Sequence, residues 1–329
     1  MNSDIESKLG DLENLFIGTP YLQEIIDDIE DFRKFARLNN YKTEPDSILI
    51  TGASGSGKTW LINEIIRLNP RIEEGDRTKI QVLSSSIPKA KSAKPVVQTL
   101  LSDIGDPLQG KGDTISGLTS RLDTLIRNTG TELIIIDEFQ HCLETDSKKV
   151  IHAIGDWVKT LINLSKRPVI LFGMPWSDII LETNVQLARR FCIHHKMPSY
   201  GVNNFSDFQC FLYAVDRKLP FPKISGLADK DLAFRLLCST EGNIGKLMKN
   251  VIKKAARKAI IYKFDSIPRE YLEDAVGKYC GYLKNDNPML LPIDQIKFED
   301  NDSFDLYPNS KIIFSKSKSI KGSFYYSDI

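Results

Sequence analysis

The sequence predicts an α/β fold in which helices cover both faces of a parallel sheet and a smaller helical domain follows. Three observations support this prediction. A glycine-rich turn joins a short apolar segment, 47–51, to an amphipathic segment, 60–68. The run 133–136 contains only leucine and isoleucine, as expected of a central strand that is buried on both faces. From residue 205 onward, apolar residues recur at helical spacing only.

The individual elements follow from the same patterns. Helical spacing over 21–38 predicts a first helix with Ile25, Ile29, Phe32 and Phe35 toward the core. Because strands alternate with helices, we expect a parallel five-stranded sheet with ligands at the carboxyl ends of its strands. The predicted strands are 47–51, 79–83, 133–138, 168–173 and 192–194, and the helices between them are 60–68, 96–104, 115–128, 148–164 and 176–181. The predicted helices of the second domain are 207–217, 229–239, 244–262 and 269–279.

The chain divides into four predicted segments. Residues 1–20 form a polar N-terminal arm, and residues 21–203 form the α/β core. Residues 204–284 form a helical lid. Residues 285–329 form an extended C-terminal tail, and its end from Ser310 mixes lysines with aromatic side chains, which predicts docking on a partner protein.

The composition excludes several classes of protein. The 44 basic and 43 acidic residues nearly balance, so any nucleic-acid site has to be a local patch. The five cysteines are scattered singly, which favours free thiols over disulfides or zinc ligands. No apolar run reaches the ~18 residues of a membrane span, and the first residues lack the apolar core of a signal peptide. We therefore expect a cytoplasmic protein with no membrane partner.

The glycine-rich turn has the residues of a phosphate-binding loop. Its glycines let successive N–H groups turn inward on a polyphosphate, and the following helix directs its positive end at the same phosphates. Lys58 is predicted to neutralise the β- and γ-phosphates, and Thr59 is predicted to bind Mg²⁺. The predicted nucleotide-binding residues are Gly52, Ala53, Ser54, Gly55, Ser56, Gly57, Lys58, Thr59 and Trp60.

Two carboxylates end the apolar strand at 133–138. Asp137 is predicted to hold Mg²⁺, and Glu138 is predicted to polarise an attacking water. Such a pair also occurs in solvated loops, but its position downstream of a phosphate loop favours catalysis. The sequence contains no Asn-Lys-x-Asp guanine motif, so ATP is favoured over GTP.

These features together resemble the AAA+ ATPases. In that superfamily the site lies between subunits, and an arginine of the neighbouring subunit completes it. Arg189 and Arg190 stand at the corresponding place, and Arg190 is the predicted catalytic arginine, with a surface ion pair as the alternative.

Two further blocks are similar to the TniB/TnsC group of transposition regulators. They are Gln-Leu-Ala-Arg-Arg-Phe at 186–191 and Gly-Asn-Ile-Gly-Lys-Leu at 242–247, and the resemblance covers residues 12–280. It implies ATP- and Mg²⁺-dependent rings or filaments on duplex DNA. The implied partners are a TniQ-type target-selection adaptor, sometimes with a CRISPR complex, and transposase subunits of the TnsA and TnsB kind.

The sequence departs from the AAA+ pattern at two places. Gly245 stands where many members have a lid arginine, and Lys246 is a possible substitute. Gly173-Met174-Pro175 stands where members have a polar sensor. Slow, switch-like hydrolysis is therefore expected.

The resemblance also places the segments after the second strand on the inner wall of a ring. Lysines among small residues can approach phosphates closely, and such contacts are independent of DNA sequence and sensitive to salt. A solvated loop is the alternative for each of them. The predicted DNA-binding residues are Lys89, Lys91, Lys94, Lys111, Thr114 and Arg121.

Two other classes of protein share these motifs. One is the Orc-like replication initiators and helicase loaders, although no winged-helix pattern is recognisable after Tyr279. The other is the signalling or antiviral ATPases, although no separate sensor domain is recognisable. The pair His194-His195 favours packing at a strand end over metal binding.

Overall fold

The computed structural model describes residues 3–75, 77–112, 114–144, 147–299, 323–325 and 327. The strands are β1 Ser47–Thr51, β2 Ile72–Glu74, β3 Arg77–Lys79, β4 Val82–Ser86, β5 Leu133–Asp137, β6 Val169–Gly173, β7 Phe191–Lys196, β8 Lys297–Glu299 and β9 Ser323–Tyr325. The helices are α1 Ser3–Glu13, α2 Pro20–Leu38, α3 Lys58–Leu68, α4 Ala93–Ile104, α5 Ile115–Asn128, α6 Lys148–Ser165, α7 Ile179–Thr183, α8 Val185–Ala188, α9 Phe205–Lys218, α10 Lys230–Thr240, α11 Ile244–Lys246, α12 Lys253–Ile261 and α13 Arg269–Cys280. A π-helical segment, Leu247–Ile252, joins α11 to α12.

Five parallel strands form the central sheet, in the order β4-β5-β6-β1-β7. Every residue of β1, β5 and β6 is buried, because these central strands are covered on both faces. The segment after β1 starts beside the end of β6, where the Gly52 N–H donates to the Gly173 carbonyl at 3.1 Å. The predicted parallel five-stranded sheet is confirmed.

Alternate residues of the strands pack against two different layers of helices. Leu49 and Ile134 face the layer formed by α4, α5 and α6. Ile48, Ile50 and Ile135 face α2 and α3 on the opposite side. This alternation gives the core two apolar layers with the sheet between them.

The second strand of the core lies further along the chain than predicted. It starts at Val82 and includes Ser86, whereas the predicted strand was 79–83. Parallel pairing with β5 sets this register, from Val82 opposite Leu133 to Ser86 opposite Asp137. The serines carried no apolar signal, so the pattern alone placed the strand too early. The preceding segment, to which the sequence pattern assigned no helix or strand before residue 79, contains the antiparallel hairpin of β2 and β3.

Helix α2 buries Ile25 and Ile29 as predicted, but the end of its predicted apolar face differs. Phe35 was predicted to face the core, but it is 74% exposed, so this prediction was wrong. Arg33 is buried instead and donates to Glu132 at 3.0 Å and to Asn69 at 2.9 Å. A paired charge and a hydrogen bond at this position, neither visible in an apolar pattern, fix the rotation of the helix.

The lid has an apolar core of its own, built from α9, α10, α12 and α13. Helix α1 is formed by residues that were predicted to be a polar arm. Its Leu12 is fully buried in the apolar core of the lid. Met289, Ile296 and Phe298 were predicted to begin the tail but pack in the same core, because they are apolar and lie within reach of it. The partner-binding segment predicted from Ser310 lies outside the described residues, apart from 323–325 and 327.

Two further findings concern the hydropathy of the helices and the cysteines. Within the described ranges, no helix combines the length and the hydropathy needed to cross a bilayer. All five cysteines are free thiols. Burial raises the pKa of Cys142 and of Cys238 to about 12, so these two thiols are packing groups of low reactivity.

Replacing Glu132 by alanine should destabilise the protein by about 3 kcal/mol, because the buried Arg33 guanidinium loses its carboxylate. Glu30→Ala is the matched control. It removes the exposed carboxylate that pairs with Arg33 at 2.5 Å and should cost less than about 1 kcal/mol. Urea unfolding of both variants measures the difference, and equal losses would contradict the role assigned to Glu132.

Candidate functional site

The glycine-rich loop, residues 52–57, connects β1 to α3 at the carboxyl edge of the sheet. Gly55 and Gly57 have φ angles of 78° and 101°, in the left-handed region that glycine adopts without strain. At Gly52 a Cβ atom would lie 2.5 Å from the Ser56 Oγ, so no side chain fits there. The spacing of the glycines therefore follows from the geometry of the loop.

Lys58 is the first residue of α3 and is 8% exposed. Its ammonium group donates to the carbonyl oxygens of Gly52 at 2.5 Å and Ala53 at 2.9 Å. Burial lowers the pKa of Lys58, and the negative charges of Glu138 and Asp137 oppose this effect. A cation and a helix N-terminus at the end of a glycine loop form an arrangement that binds phosphate.

Asp137 and Glu138 lie in different surroundings. Asp137 is 8% exposed, and burial raises the pKa of its carboxyl group. Glu138 has a φ angle of 55°, which is uncommon for a residue with a side chain. Its carboxylate accepts a hydrogen bond from the Gln140 amide and lies 3.7 Å from the His141 Nε2. The buried carboxylate suits a metal ion, and the more exposed one suits a water molecule.

Thr59 and Asp137 line one cavity of about 440 Å³ beside the loop. A hydroxyl and a carboxylate are the kinds of oxygen ligand that Mg²⁺ prefers, so this donor set fits the ion. Ser86, Arg71 and Asp103 line the same cavity and were not predicted. The Arg71 guanidinium donates to the Asp103 carbonyl at 2.6 Å, which adds a second cation near the loop.

Two buried polar side chains stand near the end of β6, where the sequence showed no polar sensor. The Gln140 Oε1 and the Ser177 Oγ have no hydrogen-bond partner in the part of the chain that the structure describes. A Cβ atom at Gly173 would lie 2.4 Å from the Ser177 Oγ and 3.5 Å from the Gln140 Oε1. Neither residue carried a sequence signal, because the fold brings them together from separate loops.

The lid contacts the phosphate loop directly. The Asn243 side-chain amide donates to the Ser54 carbonyl at 2.7 Å, and the Gly245 N–H donates to the Gly55 carbonyl at 2.8 Å. Trp60, at the start of α3, packs against the apolar core of the lid. The loop is therefore held between the sheet and the lid.

The two predicted trans arginines lie at the opposite edge of the sheet from the loop. The Ser47 N–H at the start of β1 donates to the Arg190 carbonyl at 2.8 Å, and β1 separates this point from the loop by about 16 Å. Arg190 forms an ion pair with Glu44 and holds the pKa of that carboxyl group below its ordinary value. Arg189 is exposed and has no ion pair within the described ranges. Neither arginine can reach the loop of its own chain.

The predicted DNA-binding residues do not form one cluster. Lys91 is exposed and lines a groove of about 470 Å³ together with Ile115 of α5 and Trp157 of α6. Lys89 forms an ion pair with Glu144 at 2.9 Å. Lys94, in the first turn of α4, is partly buried.

Arg121 and Thr114 stabilise the chain around Lys111. The Arg121 guanidinium donates at 2.8 Å to both the buried Asp106 carboxylate and the Lys111 carbonyl. Asp106 also accepts the Gly110 N–H at 2.8 Å. The Thr114 hydroxyl caps α5 by accepting the Gly117 N–H at 3.1 Å. The Lys111 side chain is left exposed on a loop with a fixed backbone.

The two adjacent histidines have protein partners. The His194 Nε2 lies 3.0 Å from the Thr51 Oγ1, and the His195 Nε2 lies 2.8 Å from the Asp28 carboxylate. The described residues contain no group of three or more His, Cys, Asp or Glu side chains suited to hold a metal ion. These contacts agree with the predicted packing role.

The sheet order, the phosphate loop, the carboxylates at the end of β5 and the helical lid define the AAA+ class of nucleotide-binding folds. The chain belongs to the TniB family. The family described as bacterial TniB protein matches residues 12–200, which is more than half of the chain. The resemblance seen in the sequence is thereby confirmed. No curated protein matches the sequence.

Three solved structures are similar in fold. The Aeropyrum pernix ORC2 protein in its ADPNP–ADP complexes has a TM-score of 0.52 at 15% identity, covering 77% of this chain and 67% of that chain. The Aeropyrum pernix ORC1 protein in complex with DNA has a TM-score of 0.52 at 13% identity, covering 80% and 66%. Cdc6p from Pyrobaculum aerophilum has a TM-score of 0.54 at 11% identity, covering 82% and 70%. At these identities the likeness shows the fold alone, and this chain matches about two thirds of the length of each protein.

Replacing Asp137 by asparagine should raise the unfolding temperature at neutral pH and weaken Mg²⁺-dependent nucleotide binding. Burial raises the pKa of Asp137, so its ionised form is unfavourable in the folded protein. The advantage of the variant should shrink as the pH falls toward this pKa, because the folded wild type then takes up a proton more readily than the unfolded chain.

Glu64→Gln is the control for this pH dependence. Arg67 lowers the pKa of Glu64, so the neutral amide should bring no gain in stability at neutral pH. Thermal unfolding of the nucleotide-free proteins over a range of pH makes the comparison. A D137N protein that is less stable than wild type at neutral pH would contradict the prediction.

Proposed function

We propose that this protein is an ATP-dependent, DNA-binding regulator of transposition. It assembles on duplex target DNA and links a target-selection complex to the transposase. The observation that carries the proposal is that Lys58, Thr59 and Asp137 meet at one edge of an AAA+ sheet in a chain of the TniB family.

Hydrolysis of ATP is the reaction that these side chains suit. Lys58 binds the β- and γ-phosphates, and Thr59 and Asp137 hold Mg²⁺, which neutralises charge on the phosphates when it is bound. Glu138 orients the attacking water and accepts its proton. The Gln140 amide donates to the Glu138 carboxylate and so competes with a water molecule for it, which favours slow turnover.

Completion of the site by a neighbouring subunit explains the placement of the arginines. They lie at the far edge of the sheet, so they can act only on the nucleotide of another copy. Arg189 is exposed and without an ion pair in the described part of the chain, whereas Arg190 is held by Glu44. We infer that Arg189 reaches the neighbouring site and that Arg190 fixes the turn that presents it. Head-to-tail contacts of this kind generate rings or filaments.

The exposed lysines are the proposed contacts to the DNA backbone. Lys91 borders the groove between α5 and α6, and Lys111 stands on the loop that Arg121 and Asp106 hold. Both can bind phosphates of the DNA backbone without reading its sequence. Lys89 can extend this contact after it releases Glu144, and Lys94 lies nearby in the first turn of α4.

The proposed partners come from the family. They are a TniQ-type adaptor and transposase subunits of the TnsA and TnsB kind, with the basic-aromatic segment from Ser310 as the proposed docking peptide. The likeness to ORC and Cdc6 structures concerns the fold and does not favour a role in replication. Family membership favours transposition over that alternative and over a signalling or antiviral ATPase.

The test of this function is assembly on DNA. Full-length protein mixed with random-sequence duplex and a non-hydrolysable ATP analogue with Mg²⁺ should form rings or filaments visible by electron microscopy. Lys58→Ala should abolish them, because the loop then lacks its cation. A protein that stays monomeric with nucleotide and duplex would contradict the proposal.

The double variant Lys91→Ala with Lys111→Ala should weaken DNA binding about equally on unrelated sequences and reduce the salt dependence of the affinity by about two phosphate contacts. Lys278→Ala with Lys284→Ala removes the same charge from exposed sites on the lid and should leave binding unchanged. Fluorescence anisotropy at several salt concentrations measures both effects. An affinity of the first double variant equal to that of the control would exclude these lysines from the interface.

Arg189→Ala should lower DNA-stimulated ATP hydrolysis by about 100-fold, with the nucleotide affinity retained, because it removes a cation that acts only at the transition state. Arg190→Ala is the neighbouring control and should mainly lower the unfolding temperature. Steady-state phosphate release and nucleotide titration separate the two effects. Loss of hydrolysis in the second variant alone would assign the trans role to Arg190.

A further inference from the structure

Four consecutive carbonyl groups of the phosphate loop accept hydrogen bonds, from two different sources. Lys58 donates to Gly52 and Ala53 at 2.5 and 2.9 Å. The lid supplies the other two donors, to Ser54 at 2.7 Å and to Gly55 at 2.8 Å. The Ser56 N–H also donates to Ala53, at 3.1 Å, so two of these five hydrogen bonds come from another domain.

The lid reaches the loop only because glycines meet there. A Cβ atom at Gly245 would lie 3.0 Å from the Gly55 Cα and 3.2 Å from its carbonyl oxygen. A Cβ atom at Gly55 would lie 2.2 Å from the Asn243 Oδ1. A side chain at position 245 would therefore push the loop backbone away by a few tenths of an ångström.

The chain is anchored immediately before this contact. Gly242 has a φ angle of 68°, and a Cβ atom there would lie 1.8 Å from the Tyr200 carbonyl oxygen. The Tyr200 side chain is 8% exposed and lies in the apolar core of the lid. The segment from Gly242 to Gly245 is thus fixed at one end to the lid and at the other to the loop.

Asn243 joins the two ends of this contact through one side chain. Its Oδ1 accepts the Lys246 N–H at 2.8 Å and so caps α11, which we call the lid helix. Its Nδ2 donates to the Ser54 carbonyl in the loop. A shift of the lid helix therefore acts on a peptide of the loop.

We propose that the lid senses the nucleotide through the backbone of the phosphate loop, with Asn243 as the positioning residue and Gly245 as the point of contact. This inference rests on the proposed binding of ATP and ADP. A peptide group is planar, so holding the Ser54 carbonyl toward the lid directs the Gly55 N–H to the other side of the peptide. Phosphate binding that reorients the loop must then move the lid, and by linkage the position of the lid sets the phosphate affinity.

Asn243→Ser tests the contact without adding charge. Serine keeps a capping oxygen for the lid helix but is too short to reach the Ser54 carbonyl. We expect binding of ADP and of a non-hydrolysable ATP analogue, each with Mg²⁺, to weaken by about ten-fold, as for the loss of one well-formed hydrogen bond. The nucleotide-free protein should remain folded, and its unfolding temperature should fall no more than the loss of one hydrogen bond produces. Isothermal titration and thermal unfolding of the full-length protein give both values.

Gly245→Ala tests the same contact by a steric route and should weaken binding to a similar degree. Both substitutions break the same contact, so the double variant should bind nucleotide no more weakly than the weaker-binding single variant. A general loss of fold would not produce this result. Asn204→Ser is the matched control for the asparagine, since Asn204 also joins a backbone N–H to a backbone carbonyl, in the segment that leads into the lid. Gly277→Ala is the control for the glycine, since its Cβ atom would meet only ordinary contacts at 3.5 Å.

The outcomes separate this inference from the function on which it rests. Wild-type protein that binds no nucleotide overturns the proposed function. Wild-type binding with both variants within about two-fold of it overturns the role of the lid contact alone. Affinity losses that add in the double variant, or that the two control variants share, overturn it as well.

Discussion

The position of the phosphate loop between the sheet and the lid is the constraint on which the rest of the structure depends. The loop leaves β1 at the carboxyl edge of the sheet, where the Gly52 N–H is bonded to β6. Four of its carbonyl groups, from Gly52 to Gly55, accept hydrogen bonds from Lys58 and from the lid. Because each bond has a directed donor, the loop can change shape only if the lid or Lys58 moves with it.

Electrostatics at this edge oppose stability and favour ligand binding. Burial lowers the pKa of Lys58 and raises that of Asp137, so both charged forms are unfavourable in the folded protein. A bound polyphosphate and a divalent cation would supply further opposite charges. At the other edge of the sheet, Arg33 and Glu132 are paired within the chain and stabilise it. The charges of Arg33 and Glu132 are thus paired with each other, whereas those of Lys58 and Asp137 are suited to a bound ligand.

The same contrast separates two kinds of basic residue. Arg121 and Arg190 are held by Asp106 and Glu44, and their role is to fix the backbone next to them. Their neighbours Lys111 and Arg189 lie exposed. In each case a cation that a carboxylate holds lies beside an exposed cation. The exposed cation is suited to bind a ligand or a second subunit. The sequence alone cannot tell a paired cation from an exposed one. The carboxylate partner can be far away in the chain, as Glu44 is from Arg190, and Arg189 and Arg190 are adjacent residues of the same type.

Local sequence determined much of the fold and part of the site. The glycine spacing, the buried runs of β5 and β6 and the carboxylates at the end of β5 are encoded in short segments, since phosphate loops and central parallel strands depend on local geometry and burial. Only the tertiary structure decided that α2 buries Arg33 and exposes Phe35, which serines complete β4, and that Gln140, Ser177 and Asn243 stand at the site. These features depend on partners that folding brings together from distant parts of the chain, and no periodicity or spacing records such pairings.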